Sequence, residues 1–112
     1  MKRKDIINLY RVLSEIRIAG MTDSGVKGAL ISAHLRLFKY AKENDDFAAG
    51  LIERFKPEEK DSADEAYKKW LNEDVDVTLD KIGRDAFVSE LAKTQTDIFI
   101  GALQYLEPLF EN

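Results

Sequence analysis

The feature that most constrains this chain is a long heptad pattern of apolar residues in its first half. Steps that alternate between four and three residues are typical of an α-helix that packs along one seam. With a cap at Asp23 or Ser24 and an unbroken course to Phe55, this helix has about thirty residues and is about 45 Å long. The seam positions are Val26, Leu30, Ala33, Leu37, Tyr40, Asn44, Phe47 and Leu51.

The middle of the pattern holds Asn44-Asp45-Asp46, three residues that favour helix caps over helix interiors. A compact domain of this size has a radius of gyration of about 13 Å, so the protein is either elongated or its helix breaks at these residues. Because the apolar spacing stays in phase across them, the pattern favours an unbroken helix. Asn44 is then the one polar position of the seam.

A shorter amphipathic helix is predicted before the long one, from Asp5 to Ala19. Gly20 is a natural C-terminal stop, and the short turn after it predicts that the two helices are antiparallel. Gly25 and Gly28 are expected to let the second helix pack closely on the first. Residues 5–55 are therefore predicted to form a long antiparallel helical hairpin. The apolar face of the first helix consists of Ile6, Leu9, Leu13 and Ile16.

The next two predicted elements are a short helix and an extended segment. Ser62-Ala63-Asp64-Glu65 matches a capping box, in which the serine caps the helix and the glutamate bonds back to it. Trp70 shares a face of this helix with other apolar residues, and we expect it to be buried. Residues 74–80 then alternate apolar and polar side chains, which predicts one short extended segment without a ladder partner in the chain. The segment is expected either to lie along the helices or to pair with its copy in another subunit.

Two further helices complete the predicted fold. Asp85 can cap the first of them, and Thr94-Gln95-Thr96-Asp97 indicates a break before the second. The last helix should end or kink near Leu106, because Pro108 does not fit a regular helix interior. The fold class is therefore all-α: the long hairpin with three shorter helices packed on it, in a single domain that covers residues 1–112.

Composition excludes several classes of protein. The chain has 112 residues, of which 45% are hydrophobic and 34% charged, as in one soluble domain. No apolar run approaches the ~20 residues of a membrane span, and no export signal is present, so a cytoplasmic location is expected. With no cysteine and one histidine, the sequence predicts no metal centre, no cofactor, no catalytic residue and no small-molecule substrate. We therefore expect a protein that is not an enzyme.

The single histidine, His34, is the one candidate for acid–base chemistry. It lies one position beside the seam of the long helix. The residues three and four positions away on that helix carry no carboxylate that could orient the imidazole. The pattern therefore favours a hydrogen-bonded helix residue over a general base.

Charge is divided unevenly along the chain. Residues 1–42 hold nine Lys and Arg against three acids, and residues 43–112 hold eight against eighteen. We expect either that the two halves neutralise each other when they pack or that both are solvated faces. The alternative is a nucleic-acid-binding face on the basic half, although the net charge of −4 disfavours contact with phosphate. That face would use Lys2, Arg3, Lys4, Lys27, Arg36, Lys39 and Lys42.

The last predicted helix has two adjacent apolar seams, and a single neighbouring helix would cover one of them. An exposed second seam would be larger than the apolar patches that soluble monomers usually tolerate. The sequence therefore predicts self-association through this helix, with a two-fold dimer as the favoured homo-oligomer. The alternative is that residues 47–55 of the long helix cover the second seam within one chain. The residues of the two seams are Ile98, Phe99, Ala102, Leu103, Tyr105, Leu106, Leu109 and Phe110.

A family resemblance adds to this interpretation. It is carried by residues 6–13 and 16–19, by the helix Gly28–Leu35 and by Val75–Ile82 with Phe87 five positions beyond. In these segments the chain resembles small proteins of unknown function that are encoded by tailed phages and prophages, including those of Bacteroidetes. The resemblance implies an assembly or accessory role in a phage or prophage module, in the host cytoplasm. The resulting hypothesis is a non-catalytic protein-interaction factor.

Overall fold

The fold is mainly helical, as predicted. A computed structural model describes residues 1–111 of the chain, and within them it contains no β-strand. Helices account for 69% of the protein. The elements are α1 (Arg3–Glu15), α2 (Ser24–Arg54), a 3₁₀ turn (Pro57–Glu59), α3 (Lys60–Leu71), α4 (Arg84–Leu91) and a C-terminal 3₁₀ helix (Ile100–Leu109).

The long helix α2 is continuous through Asn44-Asp45-Asp46, which confirms the unbroken alternative. It begins at a cap in which the Asp23 carboxylate accepts a hydrogen bond from the Val26 N–H at 2.9 Å. Asn44 is only 6% exposed, and its side-chain oxygen accepts a hydrogen bond from the hydroxyl of Tyr67 on α3. The molecule is elongated, with extents of 51 × 27 × 21 Å and a radius of gyration of 16.3 Å.

The antiparallel hairpin is also confirmed. Ser14 near the end of α1 contacts His34, whereas Arg3 at the start of α1 contacts Glu43 farther along α2. The first helix ends at Glu15, four residues earlier than predicted, because the chain becomes extended at Ile16. The next backbone N–H, that of Arg17, leaves the helical pattern and donates to Thr96 Oγ1 at 3.0 Å.

The core lies between the hairpin and a second layer formed by α4, the C-terminal 3₁₀ helix and residues 79–82. The hairpin contributes residues of both helices to it, and the second layer contributes leucine and phenylalanine side chains. The largest fully buried side chains are Ile6, Leu9, Leu37, Leu106 and Leu109.

The extended segment at residues 74–80 alternates as predicted, with Leu79 buried and Asp76 and Thr78 exposed. The expectation that it has no partner in the chain is wrong. The Val75 N–H donates to the carbonyl of Met1 at 2.7 Å, and the Arg3 N–H donates to Glu73 O at 3.0 Å. The partner is thus the start of the chain, which pairs too briefly to form a strand.

Two expectations about α3 need correction. The helix begins at Lys60 rather than at Ser62, because a 3₁₀ turn leads into it, with the Glu59 carboxylate accepting from the Lys56 N–H at 3.0 Å. Trp70 is partly exposed rather than buried. Its ring stacks on Phe47 at a centroid distance of 4.4 Å, and the Arg3 guanidinium lies 4.7 Å from its centroid. A flat stack on the surface of α2 therefore covers this side chain.

The last two helices differ from the prediction, the first in its cap and the second in its helix type. The cap of α4 is Gly83, and Asp85 lies inside the first turn of the helix. The apolar C-terminal segment forms a 3₁₀ helix instead of an α-helix and passes through Pro108 to Leu109. It then closes on the segment before α4, where the Ile82 N–H donates to Leu109 O at 2.8 Å.

A buried carboxylate on α4 holds the turn of the hairpin. Glu90 is 4% exposed and accepts from the Thr22 N–H at 2.7 Å and from the Asp23 N–H at 3.1 Å. The ammonium of Lys93 donates to the same carboxylate at 2.6 Å. The hydrogen bond from Lys93 is the largest cause that lowers the pKa of Glu90 to about 2, followed by the one from Asp23.

This depressed pKa predicts an acid-sensitive turn. Glu90 contributes stability at pH values above its unfolded pKa of about 4.5, and this contribution is lost as the pH falls towards about 2. We expect Glu90→Gln to be less stable than the wild type at pH 7, with a difference that narrows steadily below pH ~4.5. Urea unfolding at several pH values measures both proteins. A stability difference that stays constant down to pH ~2.5 would contradict the assignment.

Candidate functional site

An apolar groove lies between the end of α1 and the first half of α2. Its volume is about 260 Å³. Leu13 and Ile16 line it from α1 and the chain just after it, and Leu30, Ile31 and Leu35 line it from α2. The groove forms because α1 stops at Glu15, so that the extended residues after it leave this part of α2 partly uncovered.

The outer face of α2 beside the groove carries large apolar side chains in contact with solvent. Ile31, Leu35 and Phe38 lie on successive turns and are 44%, 70% and 55% exposed. Single exposed apolar residues are ordinary on protein surfaces, whereas a contiguous patch is a mark of interaction sites. The groove and these side chains together are the α2 surface, the strongest candidate site in the described part of the chain.

His34 lies in the wall of this groove. Its Nε2 is 3.0 Å from Ser14 Oγ, and its ring stacks on Tyr10 at a centroid distance of 4.6 Å. The Ser14 hydroxyl also donates to the Tyr10 carbonyl at 2.9 Å. The predicted hydrogen-bonded role of His34 is confirmed.

The eight residues predicted for self-association do not lie on one surface. Leu106, Leu109 and Phe110 are buried in the core of the same chain and cannot contact a second copy. Phe99 is 88% exposed, next to the exposed Ile100. The remaining four residues, Ile98, Ala102, Leu103 and Tyr105, are partly buried.

The basic residues of the nucleic-acid alternative lie on α1, on α2 and at the residue before α1, and two of them have partners in the same chain. Arg3 pairs with Glu43 at 3.3 Å and with Glu73 at 3.4 Å, and Arg36 donates to the Thr78 carbonyl at 2.9 Å. Lys27 is separated from Lys42 by fifteen positions of one helix, which is about 22 Å. Lys2, Lys4, Lys39 and Lys42 are exposed. Lys27 therefore lies apart from Lys42, and Arg3 and Arg36 are already bound within the chain.

The sequence analysis does not predict the α2 surface, although the sequence contains a signal for it. The exposed residues Ile31, Leu35 and Phe38 repeat the steps of four and three that mark the buried seam. The same helix thus has a second apolar line, displaced by five residues from the first at Val26. A prediction that assigns one apolar seam to each helix leaves this second line out.

No protein-family model, curated protein or solved structure matches this chain. In residues 1–111, none of the helices is long and apolar enough to cross a membrane. The same residues contain no group of three or more His, Cys, Asp or Glu side chains that could hold a metal ion. Function therefore has to be inferred from the chemistry of the surface.

Proposed function

We propose that this protein is a non-catalytic protein-interaction module that acts as an assembly or accessory factor through the α2 surface. The observation that carries the proposal is the exposure of Leu35 and Phe38, at 70% and 55%, beside an apolar groove. Covering these side chains with a partner removes apolar area from water, which is the main favourable term in protein association.

The shape of the α2 surface suits a helical partner. A helix that packs on another helix presents side chains at intervals of three and four residues, which is the spacing of Ile31, Leu35 and Phe38. The groove beside them can accept an apolar side chain from the partner. Ser14 and His34 place polar groups in the groove wall, so the site combines an apolar centre with hydrogen-bonding groups.

The resemblance to small tailed-phage and prophage proteins supports a place for this factor in a phage or prophage module, in the host cytoplasm. The order of neighbouring genes tests this part of the proposal. Capsid or tail genes on either side of the coding sequence would support it. A neighbourhood of unrelated metabolic genes would contradict it without affecting the proposed interaction surface.

The interaction itself is tested by site-specific photo-crosslinking in the native cells. With a photoreactive amino acid in place of Leu35, we expect a covalent adduct with a discrete protein, because the side chain lies at the centre of the exposed face. Adding Phe38→Glu to the same chain should strongly reduce the adduct, since a charge would be buried at the contact. Mass spectrometry of the adduct identifies the partner.

The matched control carries the photoreactive group at Asp64, an exposed residue of α3 outside the α2 surface. This position should give no comparable adduct. Equal labelling from positions 35 and 64, or an adduct that Phe38→Glu leaves unchanged, would contradict a specific interaction surface on α2.

A further inference from the structure

We infer that the partner of the α2 surface is a second copy of this chain, packed antiparallel along α2 about a two-fold axis near residues 43 and 44. This inference rests on the proposed function, because it names the occupant of the same surface. It moves the predicted self-association from the C-terminal segment, where Leu106 and Leu109 are buried in the core, to the longest helix of the molecule.

The exposed line on α2 extends well beyond the groove. It continues with the same alternating steps into the second half of the helix, where Ile52 is 81% exposed. One long helix therefore has a buried seam covered by its own chain and a second line that stays largely exposed, although the Phe38 ring lies 6.3 Å from the Tyr10 ring of α1. The positions that matter for the contact are Leu35, Phe38, Lys42, Asp45, Ala49 and Ile52, all of which are exposed.

The charges of α2 are separated along its length. Residues 24–42 carry four basic side chains and no acid, whereas residues 43–54 carry four acids and one arginine. The helix macrodipole favours the opposite arrangement, with acids near the start and bases near the end. The separation therefore gains nothing within one helix. It becomes favourable when a second α2 lies antiparallel, because each basic half then faces an acidic half.

The side chains match in one register. An axis between residues 43 and 44 places Leu35 opposite Ile52 of the partner subunit and Phe38 opposite the partner's Ala49, so that a large ring meets a small residue. Lys42 then faces the partner's Asp45, and the symmetry makes this ion pair twice. A parallel pair of helices would instead bring Lys42 against its own copy and Asp45 against its own copy, which is repulsive.

A second copy fits this surface better than an unrelated protein, because the surface is complementary to itself. A two-fold interface uses one patch on both subunits, so each group must find its counterpart within the same patch. The basic and acidic halves of α2 are counterparts of this kind, as are Phe38 and Ala49.

Disulfide trapping tests the register directly, since the natural chain has no cysteine. In the double variant Leu35→Cys/Ile52→Cys, the two thiols of one chain are seventeen positions apart on one helix, about 25 Å, and cannot join within it. Mild oxidation should therefore give a covalent dimer. The single variants Leu35→Cys and Ile52→Cys should give none, whereas a parallel dimer would be trapped by the single variants.

A charge exchange supplies a second measurement on the reduced protein. Lys42→Glu alone and Asp45→Lys alone should each weaken the dimer roughly tenfold or more, because each brings like charges together at two places. The double variant Lys42→Glu/Asp45→Lys should restore the affinity, since the pairs re-form with reversed sign. Circular dichroism verifies that each variant remains helical, and sedimentation equilibrium gives the dissociation constants.

The inference is overturned if the wild type is monomeric at micromolar concentration and the double cysteine variant does not cross-link. In that case a photo-adduct from position 35 with a different protein leaves the proposed interaction function intact. If no specific photo-adduct forms from position 35, the proposed interaction function is contradicted as well. A dimer that persists with Leu35→Glu and dissociates with Phe99→Glu also overturns the inference. That result would place the contact at the exposed Phe99, next to the C-terminal 3₁₀ helix.

Discussion

Replacing Leu106 with alanine should lower the free energy of unfolding by about 3 kcal/mol, because large-to-small substitutions in a core cost about 2–5 kcal/mol. Leu106 is 0% exposed and lies in the core cluster that joins the C-terminal 3₁₀ helix to the hairpin. Phe99→Ala is the matched comparison from the same apolar segment. Its side chain is 88% exposed, so the change should stay within about 0.5 kcal/mol.

Urea unfolding followed by circular dichroism measures both variants. Measurements at two protein concentrations separate the stability of the single chain from any effect of association. If Phe99→Ala proves as destabilising as Leu106→Ala, the C-terminal segment must turn a different side towards the core from the one described above.

The pattern of the C-terminal segment shows how a correct apolar signal can lead to a wrong surface. With an α-helical period, Leu103 and Leu106 belong to one seam and Leu109 to another. The segment is a 3₁₀ helix, with about three residues per turn, so these three leucines share one side. That side meets the core, with Leu106 and Leu109 fully buried. The period of a short apolar helix next to a proline depends on the packing around it, which the sequence does not specify.

The hairpin could be predicted because its signal is long and redundant. The seam of α2 stays in phase through eight positions, and this regularity outweighs the poor helix propensity of Asn44 and the two aspartates after it. What the seam could not reveal was the tertiary partner of Asn44, the hydroxyl of Tyr67. The partial exposure of Trp70 could not be predicted from the sequence either, since it depends on how α3 lies across α2.

The candidate site could be predicted from the sequence only in part. Its residues follow the same spacing as the core seam, and the charge division that supports self-association was visible in the first half of the chain. The exposure of Leu35 and Phe38 could not be predicted, because it depends on how α1 lies along α2, where the Tyr10 ring is 6.3 Å from the Phe38 ring. The chain after α1 is also held by a hydrogen bond from the Arg17 N–H to Thr96 Oγ1, residues far apart in sequence.

Replacing Gly20 with alanine should destabilise the fold by about 3 kcal/mol. Gly20 has a φ of +94°, a conformation that costs an L-residue roughly 1–2 kcal/mol. A Cβ at this position would lie 2.8 Å from the Lys93 carbonyl oxygen, so the backbone would have to move. Such forced movement adds roughly 1–3 kcal/mol. Lys93 cannot shift easily, because its ammonium is bound to Glu90 at 2.6 Å and to the Thr22 hydroxyl at 2.9 Å.

The matched control for Gly20 is Gly28→Ala, which should change stability in the opposite direction. Gly28 lies within α2, and a Cβ there would meet no atom within 4 Å, so the expected close packing of Gly28 on the first helix is absent. Alanine in a helix interior is more favourable than glycine by about 0.5–1 kcal/mol. Thermal and urea unfolding of the two variants should therefore show a large loss for Gly20→Ala and a small gain for Gly28→Ala. A stability loss of less than about 1 kcal/mol for Gly20→Ala would mean that the turn between α1 and α2 is free to adopt another conformation.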